Sequence, residues 1–382
     1  MNDQLFKIYH FKFINEISIY LILVQKLVRV VGVDPGTDSW GIAGLDDEAV
    51  ILDTSIPTKR LIEKPNIILD ILQSLENIDL IVAPSGHGLP LTPIQALTEH
   101  DLFLMTLKKG ISSKITGLGE IARLLKDNGF SGYFIPGVKL LSTVPTHRKI
   151  NKIDMGTADK VCSAALGIYD QASRLNIDYS EVSFILVEMG SGFNAVLGIE
   201  NGQIIDGIGG TLGSAGFLAC GGIDGEIAYL FEKIYKRTIY SGGAAYIAGY
   251  NELSPEEFVI QANSDEKFQL GKDFLIEGLL KDIYAMTVSL RHPTEILLSG
   301  RLAKIDAFYD ILKNQLEVIA PVRRMGGLPT VQIAKEAAQG AAIIANGLAN
   351  GQFKSLINQM QLKEAKGTVL DHIYLYKFGE NI

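Results

Sequence analysis

The sequence is poor in cysteine and in runs of basic residues. Only Cys162 and Cys220 occur in 382 residues, which suits the reducing cytoplasm and excludes a disulfide framework. The net charge is −8, and Lys and Arg form no long run. A broad basic face that would bind nucleic acid is therefore not expected.

Several common enzyme signatures are also missing. There is no GxxxxGK[ST] loop, no protein-kinase signature, no GxGxxG after the first strand and no GxSxG elbow. The six histidines show no zinc-binding spacing. These absences argue against P-loop, protein-kinase, dinucleotide-binding, zinc-dependent and serine-hydrolase chemistry of the common kinds.

The N-terminal stretch is apolar but too short to cross a membrane. Its uncharged core runs from Ile17 to Val24, whereas a spanning helix needs about 20 apolar residues. No small-residue cleavage site follows it. We interpret residues 1–27 as an extension ahead of the first strand, or as the product of a wrongly chosen start codon, and we expect no membrane partner.

An internal repeat predicts two similar domains. The stretch VDPGTDSWGIAGLDDEAVILD from Val33 aligns without a gap on VEMGSGFNAVLGIENGQIIDG from Val187, at a constant offset of 154 residues. Both read as strand, glycine turn, strand, turn, strand, with Asn201–Gly202 as a strong hairpin signal. The alternative is two unrelated hairpins that share glycines. A chain of this length favours two domains, and we expect them to face each other across a cleft.

Residues at the two matched turns indicate a polyphosphate site. A glycine lets backbone N–H groups approach phosphate oxygens, and Thr or Ser adds a hydroxyl donor. An acid at the strand end can hold magnesium, usually through water. We therefore expect Asp34 and Glu188 near a metal, and phosphate contacts from the turn residues Gly36, Thr37, Ser39, Gly190, Ser191 and Gly192.

Three later segments supply further candidates. Thr157 is the predicted N-cap of a helix that runs to about Leu175. We expect Asp154 and Asp159 at the mouth of the cleft. Alternatively, Asp159 is only a first-turn acid that the helix dipole favours. A strand followed by Gly300–Arg301 and a helix suits a nucleotide base or ribose. The Ala/Gly-rich helix from about Lys335 begins with Glu336, either a metal-site acid or a first-turn charge.

Together these motifs resemble the superfamily of acetate and sugar kinases, heat-shock chaperones and actin. Asp34–Ser39 and Glu188–Asn194 resemble the two phosphate motifs of this superfamily, and Leu297–Lys304 resembles its adenosine motif. Within the superfamily, PSGHGLPLTPI is similar to the butyrate-kinase stretch of the type VGRGGLLKPI, and EAAQGAA to its EALALGAL. An archaeal family described as predicted butyrate kinases is equally similar.

The resemblance implies an α/β fold of two ribonuclease-H-like domains with a nucleotide cleft between them. We expect domains at 28–156 and 157–351, the latter with a hinge helix, followed by a tail at 352–382. ATP and Mg²⁺ are the implied cofactors, and a homodimer is implied by the likeness to acetate kinases.

The implied reaction is phosphoryl transfer to a small carboxylate. A carboxylate acceptor needs no base, whereas a hydroxyl acceptor would be helped by one, for which Asp154 or Asp159 is the catalytic candidate. Arg148 or Arg301 could bind a carboxylate acceptor. The sequence departs from the family where Glu188 replaces a histidine, Arg301 a glycine and His87 an arginine. A sugar or polyol kinase and a nucleotide-binding switch remain the alternatives.

Overall fold

The computed structural model describes residues 27–108, 117–249 and 252–378. The predicted N-terminal extension lies outside these residues except for Leu27. Within the described ranges, no helix is both long and apolar enough to cross a membrane.

The first sheet has six strands in the order β3-β2-β1-β4-β6-β5. Strands β1, β4 and β6 are parallel, and β2 runs antiparallel to β1, as β3 does to β2. The strands are β1 Arg29–Asp34, β2 Ser39–Asp46, β3 Ala49–Pro57, β4 Leu80–Val82, β5 Gly88–Pro93 and β6 Gly132–Pro136.

The second sheet repeats this connectivity in the order β11-β10-β7-β8-β9. Its strands are β7 Phe184–Met189, β8 Asn194–Glu200, β9 Gln203–Ile208, β10 Glu295–Ser299 and β11 Val322–Arg324. Both hairpins shift register at the matching place, Gly44/Leu45 and Gly198/Ile199. Asn201 and Gly202 both have positive φ, 53° and 68°, as a two-residue hairpin turn requires. The two sheets confirm the α/β fold of two ribonuclease-H-like units.

Fourteen α-helices connect and cover the strands in the described residues. They are α1 Thr58–Glu63, α2 Ile67–Gln73, α3 Glu99–Thr106, α4 Leu118–Asp127, α5 Thr146–Lys149, α6 Ala158–Leu175, α7 Gly225–Leu230, α8 Lys236–Ile239, α9 Ala244–Ile247, α10 Pro255–Gln261, α11 Glu266–Ser289, α12 Asp306–Leu316, α13 Glu336–Leu348 and α14 Lys354–Gln359.

Helices α6 and α13 form the middle of the molecule. Helix α13 packs on β1, β2 and β4 of the first sheet, and α6 packs on both α13 and β7 of the second. The glycines let the backbones touch, because a Cβ at Gly340 would overlap the carbonyl oxygen of Cys162 and one at Gly32 would overlap the backbone of Ala342. All but the first residue of α13 are buried. The order is therefore sheet, helix, helix, sheet.

The structure differs from what the sequence predicts in two elements. The Gly- and Pro-rich sequence after Leu80–Ala83 predicts a loop, but this segment contains β5, an edge strand paired with β6. The prolines of β5 argue against a strand in the sequence, yet an edge strand tolerates proline. The sequence predicts a helix over 274–290, and in the structure this helix starts eight residues earlier, after the N-cap Asp265. Helix α13, the predicted hinge helix, packs on both the first sheet and α6.

We expect Gly340→Ala to destabilise the fold strongly. The added methyl group would overlap the backbone of Cys162, and overpacking typically costs about 1–3 kcal/mol or more. Thermal unfolding measures the effect. Gly225→Ala is the matched control, since a Cβ there meets nothing within 4 Å; equal melting temperatures for the two variants would contradict the close crossing of α6 and α13.

Candidate functional site

A cleft of about 590 Å³ opens between the two sheets. Residues of both glycine turns, of the starts of α6 and α13 and of the loop after β10 line it. The cleft therefore brings together segments that lie far apart in the sequence, and the sequence motifs singled out these five segments.

The two glycine turns face each other across this cleft. The first turn connects β1 to β2 and the second connects β7 to β8. A Cβ placed on Gly192 would lie 3.7 Å from the Thr37 Oγ1. The two turns therefore approach each other closely at Thr37 and Gly192.

Each turn is fixed by its surroundings. The Thr58 hydroxyl donates to the Gly36 carbonyl at 2.7 Å, and the amides of Leu218 and Ala219 donate to the Gly192 carbonyl. The amide of Gly190 donates to the Phe193 carbonyl at 3.0 Å. Gly190 therefore shapes the turn, and its amide is not a free phosphate donor as the sequence led us to expect.

Asp34 is a buried acid at the end of β1. Its side chain is 6% exposed, and burial raises its pKa to about 7, with a further increase from Asp159 and Glu188. The nearby ammonium groups of Lys335 and Lys160 oppose this increase. Asp34 therefore has both carboxylates and ammonium groups as neighbours. A buried acid with a strongly raised pKa in a cleft is typical of functional sites.

Lys160, in the first turn of α6, joins two of the predicted acids. Its ammonium group lies 2.6 Å from the Asp159 carboxylate and also contacts Glu188. Burial penalises the charge, but the two carboxylates outweigh it and raise the pKa of Lys160. Burial also opposes ionisation of Asp159, yet Lys160 and Thr157 lower its pKa. Asp159 is therefore a weak proton acceptor in this state.

Lys335 is a site residue that sequence reasoning missed. Its ammonium group donates to the Ser39 carbonyl at 2.6 Å, and a Cβ on Gly36 would overlap it. The lysine directly precedes the helix that starts at Glu336, which the sequence did single out. Glu336 itself pairs with Lys304 at 3.0 Å.

Gly300 and Arg301 lie at the cleft edge after β10. Gly300 has a φ of 88°, and a Cβ there would meet the Met189 carbonyl at 2.5 Å. Arg301 pairs with Glu256 at 3.1 Å and with Asp38 of the first turn at 3.4 Å. The loop therefore approaches both turns.

Of the remaining two catalytic candidates, Asp154 lies in the cleft and Arg148 lies outside it. Asp154 lines the cleft and is 7% exposed, where it accepts from Thr211 N and Oγ1 at 2.9 and 3.0 Å and from Gly156 N at 3.1 Å. Arg148 is not among the lining residues and donates to the Ile205 carbonyl at 2.7 Å instead. Of the two candidate acceptor arginines, Arg148 is therefore outside the cleft, because its side chain is bound to β9, whereas Arg301 lines the cleft.

Two other basic residues lie near Asp154. His87 and Lys236 line the same cleft, and burial lowers the pKa of both, although Asp154 raises it. His87 lies in the stretch that resembles butyrate kinases, whereas nothing in the sequence singled out Lys236. Its segment reaches the cleft only through the fold.

The residues near Asp34 fit a nucleotide-bound magnesium ion. Across residues 27–108, 117–249 and 252–378, no three His, Cys, Asp or Glu side chains cluster as a metal site. Magnesium bound with a nucleotide usually takes one or two protein carboxylates and fills its other positions with phosphate and water. The buried Asp34, beside two phosphate-type turns, matches that need.

Solved structures share this architecture. An acetate kinase from Entamoeba histolytica has 15% identity and a TM-score of 0.55, covering 76% of this chain and 86% of its own. An acetate kinase from Porphyromonas gingivalis has 14% identity and a TM-score of 0.58, with 82% and 98% covered. A propionate kinase from Francisella tularensis subsp. tularensis SCHU S4 has 13% identity and a TM-score of 0.58, with 82% and 99% covered.

The fold of this chain is therefore the two-domain, actin-like ATPase fold. Within it, the chain belongs to the family described as "Protein of unknown function (DUF1464)", whose model matches residues 32–375. No curated protein matches the chain. At these identities the likeness to solved structures defines the fold alone.

We expect Asp34→Asn to raise stability when magnesium and nucleotide are removed. The pKa of Asp34 rises from 3.8 to about 7 on folding, so the protonated acid stabilises the fold fully below pH 3.8 and this contribution is lost as the pH rises through about 7. The variant should gain on the order of 1–3 kcal/mol at pH 8 and less at pH 5. Thermal melts in EDTA at both pH values measure this gain.

The exposed neighbour Asp38 gives the control for this prediction. Its side chain is 65% exposed, so Asp38→Asn should change stability little at either pH. A loss of stability in Asp34→Asn at pH 8 would contradict the electrostatic picture of the cleft.

Proposed function

We propose that the chain is a cytoplasmic, magnesium- and ATP-dependent phosphotransferase whose acceptor is a small carboxylate such as butyrate. The observation that carries this proposal is the pair of glycine turns that face each other across one cleft, with Asp34 and Lys335 beside the first turn. Two opposed amide-lined turns are suited to a polyphosphate chain. The shared fold with acetate and propionate kinases supports the same class of reaction.

The phosphates of the nucleotide would lie between the two glycine turns. Its β- and γ-phosphates would contact the amides and hydroxyls of Gly36, Thr37, Ser39, Ser191 and Gly192. The adenosine would lie against Gly300 and Arg301, where the positive φ of Gly300 brings the backbone close to the second turn. This placement uses every lining segment that the repeat and the later motifs predict.

The residues of the cleft act mainly by position and charge, as is usual in phosphoryl transfer. Magnesium, when held by Asp34 with help from Glu188 or Glu336, would neutralise phosphate charge. Lys335 places a fixed positive charge at the first turn, and Lys160 holds the carboxylates of Asp159 and Glu188 in place. Closure of the two sheets around the cleft would exclude water.

The acceptor end favours a carboxylate over a hydroxyl group. A carboxylate is already a nucleophile at neutral pH, whereas a hydroxyl group is helped by a base. Asp159 is paired with Lys160, and Asp154 accepts three hydrogen bonds, so neither acid is well suited to take a proton. His87 and Lys236 supply donors in place of the missing arginine.

A nucleotide-dependent switch is the second candidate. Arg301 is the one arginine that lines the cleft within the described residues, and it pairs with Asp38 and Glu256. Without an arginine to bind the acceptor, the cleft could bind ATP but transfer no phosphate. ATP binding would then control closure of the two domains, and a partner protein would recognise the closed state. Nucleotide binding without transfer to any small acceptor would support this function.

Hydroxylamine trapping tests the proposed reaction. With Mg-ATP and butyrate, the wild-type protein should form a hydroxamate, because acyl phosphates react with hydroxylamine. Asp34→Asn should reduce the rate by about 100-fold or more, since it removes the charge that holds the metal. Acetate and propionate should be compared with butyrate in the same assay.

The same assay separates the alternatives. Reactions without ATP provide the blank, and a panel of sugars and polyols tests hydroxyl acceptors by ADP release. Absence of hydroxamate from protein that binds ATP would reject the carboxylate acceptor. Sugar-dependent ADP release would then indicate a sugar or polyol kinase, and no release would indicate the switch.

We expect Lys335→Met to weaken binding of Mg-ADP about tenfold, which corresponds to about 1.4 kcal/mol. The physical reason is the loss of the ammonium group that donates a hydrogen bond to the Ser39 carbonyl at the first turn. Isothermal titration calorimetry measures the affinity. Lys313→Met on α12 is the control, because its ammonium group pairs with Glu317 on the surface; unchanged affinity in Lys335→Met would remove Lys335 from the nucleotide site.

A further inference from the structure

Helix α11 buries one face and exposes an apolar stripe on the other. Its inner face packs into the second core through residues such as Leu275, Leu279 and Ile283. Its outer face carries Leu270, Phe274, Tyr284 and Val288, which are 61%, 43%, 46% and 79% exposed. Between them lie Glu277 and Lys281, paired at 2.6 Å and also exposed. We call these six residues the α11 stripe.

The α11 stripe reads the same in both directions about position 279. Leu270 and Val288 are equally far from it and both aliphatic, and Phe274 and Tyr284 are equally far and both aromatic. The third pair, Glu277 and Lys281, has opposite charges. At 100° per residue, all six lie within about 80° of helix surface, on the side opposite Leu279.

Such an order is complementary to itself. If two copies of the helix lie antiparallel about a twofold axis at the level of residue 279, each side chain meets its mirror position in the second copy. Aliphatic then meets aliphatic, aromatic meets aromatic, and each glutamate meets a lysine. A twofold interface requires this property, because the same patch must bind itself.

We propose that two copies of this chain pair antiparallel along the α11 stripe and form a twofold homodimer. The exposed charges at its centre are paired rather than unbalanced, which fits a second copy better than a lipid surface. The contact is short for a stable interface, so the dimer should be of moderate affinity and dissociate on dilution. The proposal does not depend on the proposed phosphotransfer.

The dimer would also steady the candidate site from outside. The Asp282 carboxylate on α11 accepts from the Ser214 amide at 2.7 Å. Ser214 lies in the glycine-rich loop between β9 and α7, residues 209–224, and Leu218 and Ala219 of this loop donate to the Gly192 carbonyl. Helix α11 therefore carries the proposed pairing surface and also holds the loop that contacts the second turn. The residues of the α11 stripe do not line the cleft.

Sedimentation velocity of the full chain tests the pairing. Between about 1 and 200 µM, the range of weak specific interfaces, the wild-type protein should shift from monomer to dimer. Leu270→Glu and Phe274→Glu should each move the midpoint at least about tenfold higher, because they place unpaired charges in the contact. Tyr229→Glu is the control: Tyr229 is 84% exposed on α7, outside the stripe.

A charge exchange tests the antiparallel order itself. Glu277→Lys and Lys281→Glu should each weaken the dimer, because like charges then meet twice across the axis. The double variant should restore it to within about threefold, because opposite charges then meet again across the axis. Circular dichroism melts confirm that each variant is folded.

Three outcomes would overturn the proposal. The first is a monomer over the whole concentration range, whether α11 is free or covered by another segment of its own chain. The second is a dimer that Leu270→Glu and Phe274→Glu do not weaken. The third is a double charge variant that dissociates as readily as the single variants, which would place α11 outside the interface or in another orientation.

Discussion

The close crossing of α6 and α13 is the contact on which the rest of the structure depends. Gly340 brings the backbone of one helix against the backbone of the other at Cys162, and Gly32 does the same between α13 and β1. These two contacts set the spacing of three of the four layers, namely the first sheet, α13 and α6. Because the glycine turns sit at the ends of β1 and β7, that spacing also decides that Thr37 and Gly192 face each other.

The cleft formed in this way concentrates charge of both signs. Asp34, Asp159 and Glu188 lie close to one another and to Lys160 and Lys335. Burial is the main cause of the raised pKa of Asp34, because it removes the water that would solvate the carboxylate. A cation beside Asp34 would offset this cost, so the electrostatics and the shape of the cleft are both suited to a polyphosphate with a bound cation.

Much of the fold could be predicted from residues close together in the sequence. The gapless repeat predicted both hairpins, including the matched turns, and the Asn201–Gly202 turn needed no tertiary information. The strand β5 and the full length of α11 could not be predicted in this way. Edge pairing with β6 stabilises a proline-containing strand, and burial of Phe268 and Gly271 against α9 and α10 extends a helix whose first turns show little apolar spacing.

The sequence alone determined which residues form the two glycine turns, because the backbone conformation of a tight turn is a local property. Only the tertiary structure decided what surrounds them. It placed Lys335 at Ser39, paired Asp159 with Lys160, used the Gly190 amide within its own hairpin and bound the Arg148 side chain to the Ile205 carbonyl of β9, outside the cleft. These outcomes depend on distances between residues far apart in the chain, which packing fixes and local pattern does not.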